Sequence, residues 1–136
     1  MKEQRHFLPF DSLLAVPRGN GIVNYPIASK KGGARAMHTG ISKLPVGVTA
    51  PRHSHNAEEQ VTVLEGRVKI VLDDREQVCG RFDSTFISAG VEHEIVNVGD
   101  DTAYVLVVYG SPDVDRTFAA TGETVAIGSD SDRFVR

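Results

Sequence analysis

The feature that most constrains this chain is a rhythm of short β-type segments, cut by turn residues at intervals of about eight to twelve positions. Segments 60–64 (QVTVL) and 67–72 (RVKIVL) are rich in β-branched residues, with Glu65-Gly66 between them as a turn. A short apolar piece at 85–87 runs into Ser88-Ala89-Gly90. Segment 94–98 (EIVNV) reads as a strand closed by Gly99-Asp100-Asp101, and 103–109 (AYVLVVY) as a buried strand ending at Gly110-Ser111-Pro112. Weaker strand candidates lie at 21–28, 34–42 and 46–49. No stretch of twelve residues carries a helical stripe, although 10–16 fits one or two helical turns. Such a pattern predicts an all-β sandwich or barrel. Residues 113–136 read as a polar tail with one strand at 124–127. The chain shows no internal repeat, low-complexity tract or linker, so 1–136 reads as a single domain.

Composition narrows the function classes. Fifteen Lys and Arg stand against 18 Asp and Glu, a formal net charge of −3. No broad basic field exists to attract nucleic acid or an anionic membrane. Aromatic residues are 7% of the chain and tryptophan is absent, which argues against stacking platforms for single strands. One cysteine, Cys79, cannot form an internal disulfide, and no apolar run reaches the length of a signal-peptide core or a membrane span. A cytoplasmic protein is the expectation.

Three of the five histidines, His53, His55 and His93, fall in the β-rich middle. On a strand, His53 and His55 share a face, about 6.6–6.8 Å apart along the chain, so both imidazoles can converge on one ion. Glu59 has the same parity, but a straight strand would set it ~13 Å from His55. The chain must therefore turn near Asn56-Ala57-Glu58, so that Glu59 opens the next strand and faces back. Val61 and Val63 continue its face, which predicts an ion at the mouth of an apolar interior. His93 on another strand would complete a three-His, one-Glu set, suited to Fe, Mn, Ni, Co or Zn. Read alone, the His-x-His pair fits a solvated face as well as a ligand pair.

The run 47–66, GVTAPRHSHNAEEQVTVLEG, resembles the first motif of the cupin superfamily, G-x5-H-x-H-x3-E-x6-G, at Gly47, His53, His55, Glu59 and Gly66. The run 82–97 is similar to the second motif, G-x5-P-x-G-x2-H-x3-N, at Gly90, His93 and Asn97. Phe82 stands where the first glycine is usual and Ser88 where proline is usual. The resemblance covers about half the chain. It implies a double-stranded β-helix, the jelly-roll barrel of cupin type, with its core at about 34–110, an N-terminal arm at 1–33 and a C-terminal tail at 111–136. It also implies one divalent transition metal held by His53, His55, Glu59 and His93, and a homodimer built through the N-terminal segment. Known chemistries of the family include dioxygenases, isomerases, decarboxylases, lyases and polyketide cyclases. Open coordination positions fit a small oxygen-bearing organic substrate chelated to the ion, with dioxygenase-type chemistry leading; a non-catalytic small-molecule-binding barrel is the other reading.

The remaining residues divide as follows. Glu58, Gln60 and Arg52 should face away from the site. His38 fits either an exposed strand position or one beside the substrate. Tyr25 and Tyr109 fit the barrel mouth or the core. Cys79 reads as a loop or strand-end residue, and Asn97 as a residue that either orients a ligand or caps the turn before Gly99.

Overall fold

Apolar residues at alternate positions of short strands leave one face of each strand to bury, and two sheets facing each other satisfy that requirement. The computed structural model describes residues 6–135, so the ends of the expected arm (1–5) and tail (136) lie outside it. Twelve strands follow in chain order: β1 (Val16–Pro17), β2 (Val23–Pro26), β3 (His38–Leu44), β4 (Thr49–Ser54), β5 (Glu59–Glu65), β6 (Val68–Leu72), β7 (Arg75–Cys79), β8 (Ser84–Ile87), β9 (His93–Asn97), β10 (Ala103–Tyr109), β11 (Asp115–Phe118) and β12 (Thr124–Ala126). Only two 3-10 turns, Phe10–Ser12 and Lys30–Gly32, interrupt them among the described residues.

The strands form two six-stranded antiparallel sheets, ordered β1-β2-β3-β10-β5-β8 and β12-β11-β4-β9-β6-β7. This is the expected jelly-roll barrel. Its core lies between the inner faces and includes Leu44, Val61, Val63, Val68, Ile70, Ile87, Ile95, Val105 and Phe118. Each such aliphatic side chain contributes about 1.5–3 kcal/mol by leaving water. No described helix is long and apolar enough to cross a membrane.

Three differences from the sequence reading have physical causes. Segment 75–79 is a strand, missed because it is an edge strand with four exposed residues and therefore carries no alternation; Cys79 closes it, buried. Strand β4 begins at Thr49, where 46–49 had looked like the strand itself. The polar segment after residue 111 is no loose tail. Strand β11 pairs with β4 as well as β12, and Val114, Phe118, Val125 and Phe134 are buried.

Two departures from the usual motif are turns. Phe82 holds a left-handed backbone, φ 71°, where a glycine would be unstrained. Its ring is exposed and the Arg81 guanidinium lies 4.8 Å from the ring centroid. The Ser88 turn closes without proline: Val91 N–H donates to Ser88 O, and Gly90, at φ 82°, donates its N–H to His55 O at 2.8 Å.

Candidate metal centre

Strand β4 carries a register shift against β9 between Ala50 and His53. Pro51, which has no N–H to give a ladder, sits in that bulge. The extra residue turns His53 inward, although Ala50, three positions earlier, also faces the core. His53 then pairs directly with His93 on β9. Beyond β4 the chain bends at Asn56 and Ala57, and β5 starts at Glu59. His53, His55, Glu59 and His93 are all buried, none more than 4% exposed. The ring centroids are 4.4 Å apart for His53–His93, 4.9 Å for His53–His55 and 5.1 Å for His55–His93.

Each ring is held by its Nδ1. His53 Nδ1 lies 2.5 Å from Pro51 O, His55 Nδ1 2.8 Å from Asp115 O, and His93 Nδ1 2.9 Å from Val91 O. A carbonyl only accepts, so each Nδ1 carries a hydrogen and Nε2 is the atom each ring can offer as a ligand. Burial, and after it the positive field of Arg116, holds His53 well below the usual histidine range, so that ring is neutral at pH 7. Glu59 Oε1 is 3.3 Å from His55 Nε2 and 3.0 Å from His93 Nε2. Those three atoms make no hydrogen bond. Burial alone would raise the Glu59 carboxyl, but the two rings outweigh it and hold it below the usual carboxylate range. Lone pairs and a carboxylate oxygen at such distances attract only through a positive charge set between them, a proton or a metal cation. The His53, His55 and His93 donor atoms lie within 4.8 Å of one another and could hold a metal ion. Three imidazoles with a carboxylate are a donor set that suits a divalent transition ion, and the carbonyl partners fix the tautomer such a ligand requires.

A family model for the cupin domain matches residues 40–109. The chain belongs to the cupin family. Solved structures with the same fold include a cupin-superfamily sugar phosphate isomerase from Silicibacter pomeroyi, at 22% identity over 95% of this chain and 99% of that one, with a TM-score of 0.72. The polyketide cyclase RemF from Streptomyces resistomycificus matches at 21% identity, covering 98% and 91% of the two chains, with a TM-score of 0.69. KdgF from a Halomonas species matches at 14% identity over 81% and 97%, with a TM-score of 0.70. No curated protein matches the sequence.

The other sequence-selected residues of this cupin fall into place around that centre. Glu58 and Gln60 are exposed. Arg52 is half-buried and donates to Asp73 O. Asn97 plays no part at the centre; its amide donates to Leu44 O and Asp101 O and accepts from Gly99 N–H, locking the loops at the far end of β9. Tyr109 is buried, its ring 4.8 Å from that of His55. It pairs with Glu59 on one side and His38 on the other, so His38, Tyr109 and Glu59 form one row across the sheet. His38 is half-buried in that row, not on an outer face, and burial lowers its pKa.

A second polar cluster escaped the sequence reading. Arg116 on β11 and Asp132 are 3% and 0% exposed, and the guanidinium is ion-paired to Asp132 Oδ1. Asp132 Oδ2 accepts Gly128 N–H at 3.0 Å, and Arg18, also buried, donates to Ser129 O at 2.7 Å. No local signal marks these residues, since their partners are 16 and 111 positions away in the chain.

Proposed function

We propose that this cupin is a metal-dependent enzyme acting on a small oxygen-bearing organic substrate, with the ion held by His53, His55, Glu59 and His93. The observation that carries this reading is the set of buried, tautomer-locked imidazoles whose unpartnered Nε2 atoms face one carboxylate oxygen. When bound, such an ion supplies a Lewis acid for a carbonyl or enol oxygen and, if redox-active, a centre for oxygen chemistry. The chain's own residues supply the rest. The three backbone carbonyls orient the rings, and Val61 and Val63 keep the floor of the site dry. His38, in the Glu59 row and neutral at pH 7, is placed to accept a proton from a substrate carbon or oxygen.

Isomerase- or cyclase-type chemistry on an enolisable carbonyl compound is the leading reaction class. It draws on the sugar phosphate isomerase and the polyketide cyclase, which share this fold over nearly the whole of both chains. Dioxygenase chemistry is the second reading, favoured by a three-His, one-Glu set that suits iron. Metal analysis of protein purified without chelator should find about one transition ion per chain. The iron-loaded protein, given phenolic or diketone compounds, should consume no oxygen; stoichiometric uptake would overturn the leading class in favour of the second.

We also propose that the cupin pairs with a second copy through its N-terminal segment. Phe7 and Leu14 are 89% and 71% exposed there, beside the outermost strand β1. Sedimentation of the full chain should give a dimer, and Leu14→Glu should shift it toward monomer.

A further inference from the structure

The four candidate ligands are shut in. His53, His55, Glu59 and His93 are buried, and none of them lines either the chamber of about 30 Å³ or the larger cavity of about 630 Å³. An ion and its substrate have to reach atoms that face inward, so part of the wall must move. Strands β4, β5 and β9, which carry the ligands, are each paired on both sides and cannot part without breaking ladder hydrogen bonds. One covering segment is built differently. Strand β12 ends at Ala126, and residues 127–135 form neither strand nor helix.

This segment runs from β12 in one sheet to Arg18, beside β1 in the other, where Phe134 N–H donates to Arg18 O at 2.6 Å. Inward and outward residues alternate along it. Asp132 and Phe134 are buried, whereas Ser131, Arg133 and Val135 are exposed. A single layer of chain therefore separates solvent from what lies beneath. Beneath it is His53: the Phe134 ring centroid is 6.0 Å from that of His53 and 6.5 Å from that of Phe118. Side chains hold the segment down. Asp132 is ion-paired to Arg116 and accepts Gly128 N–H, while Arg18 Nη1 donates to Ser129 O at 2.7 Å and Asp132 O at 3.2 Å. The Arg116 guanidinium also lies 4.5 Å from the Phe134 ring centroid. Gly19 completes the seat, since a Cβ there would stand 2.7 Å from Val135 Cγ2. A covering fixed by side chains rather than by a ladder is one that can open locally while the sheets stay folded.

We propose that residues 127–135 are a strap that shuts the metal centre, and that ions and small ligands reach the centre only while the strap is lifted. Phe134 is the plug against His53, and the contacts among Arg18, Arg116 and Asp132 are the latch. Gly128, at the start of the strap, and Arg18, its anchor, line both cavities, so lifting extends that space toward His53. The inference rests on the metal reading above.

The test is the rate at which the zinc-loaded full chain loses zinc to excess EDTA, followed by metal analysis of the desalted protein. Phe134→Ala removes the plug and should speed release by about tenfold or more, with the zinc stoichiometry of the wild type, because the closed strap loses a buried contact and the lifted state gains population. Leu44→Ala truncates the core at the end of β3 opposite His38. It lowers stability without touching the strap, and its release rate should stay within about twofold of the wild type. A Phe134→Ala rate equal to that of the wild type would overturn the proposal. Equal acceleration in Phe134→Ala and Leu44→Ala would overturn it too, because zinc would then escape by general loosening of the barrel. The strap can also be locked. A Cβ at Gly19 would lie 3.4 Å from Val135 Cβ, close to the span of a disulfide. The double replacement Gly19→Cys with Val135→Cys should, when oxidised, hold zinc about tenfold longer than after reduction by a phosphine. The same rate in both redox forms would count against the strap as the gate and overturn the proposal. A wild-type protein that takes up no zinc would sink the metal reading and this proposal with it.

Discussion

His55 and Arg116 both border Tyr109 and both are almost fully buried, yet they belong to opposite kinds of polar interior. Around His55, the inward Nε2 atoms of His55 and His93 meet only the Glu59 carboxylate, at 3.3 and 3.0 Å. Around Arg116, a full positive charge meets a full negative one, and Asp132 has both oxygens occupied. The first cluster is one that the proposed cation would complete; the second closes on itself apart from two guanidinium Nε atoms. The difference separates binding from architecture. Histidines that serve as the proposed ligands should be removable without unfolding the barrel, whereas a buried ion pair cannot lose one member cheaply.

The sharpest break of that contrast is at the histidines. His55→Ala or His93→Ala should drop bound metal from about one ion per chain to near zero, with the β-sheet circular dichroism of the metal-free wild type retained. Metal content unchanged in both variants would remove the histidine cluster from consideration. Across Tyr109 the outcome should reverse. Arg116→Ala should lower stability in urea by about 3–5 kcal/mol, because Asp132 is left buried and unpaired, while the double replacement of Arg116 by Met and Asp132 by Leu should recover most of the loss. A double variant as unstable as the single one would show that the pair is not the source of the cost.

Acid should expose the same asymmetry more gently. His53 and His38 are held neutral in the folded protein by burial, so below about pH 6.5 the unfolded chain gains protons the folded one refuses. The unfolded state then binds more protons, and the sign of the linkage is that stability falls as pH falls. For each such histidine the slope approaches about 1.4 kcal/mol per pH unit. Urea titrations of metal-free protein between pH 7.5 and 5.5 should show this loss, and a flat profile would contradict the buried neutral rings. The smallest effect lies outside both clusters. Phe82→Gly should relieve the left-handed strain and add about 1 kcal/mol of stability without changing metal uptake. A change in metal uptake there would mean the turn before β8 shapes the site after all.

The strands with alternating or continuous apolar residues were legible because burial imposes a period of two on the residues themselves. Segment 103–109 coincides with β10, and the parity of Glu59, Val61 and Val63 is that of the buried face of β5. Edge strand β7 was not legible, because nothing in REQVC faces the core until Cys79. Strand β11 was hidden similarly: DRTF looks like solvated tail because its inward members are an arginine and a phenylalanine, and only the Asp132 partner makes the arginine an interior residue.

By itself, the sequence determined the all-β class, the pairing of His53 with His55, and the need for a turn before Glu59, since each follows from spacing along one strand or its neighbour. Tertiary structure alone decided that the bulge at Pro51 aims His53 inward, that Nδ1 of each ring is tied to a backbone carbonyl, and that His38, Tyr109 and Glu59 share a row. It also brought Arg18, Arg116 and Asp132 together beside that row. Local spacing fixes what a strand can present, but which strands lie side by side, and in what register, is set by the packing of the whole barrel.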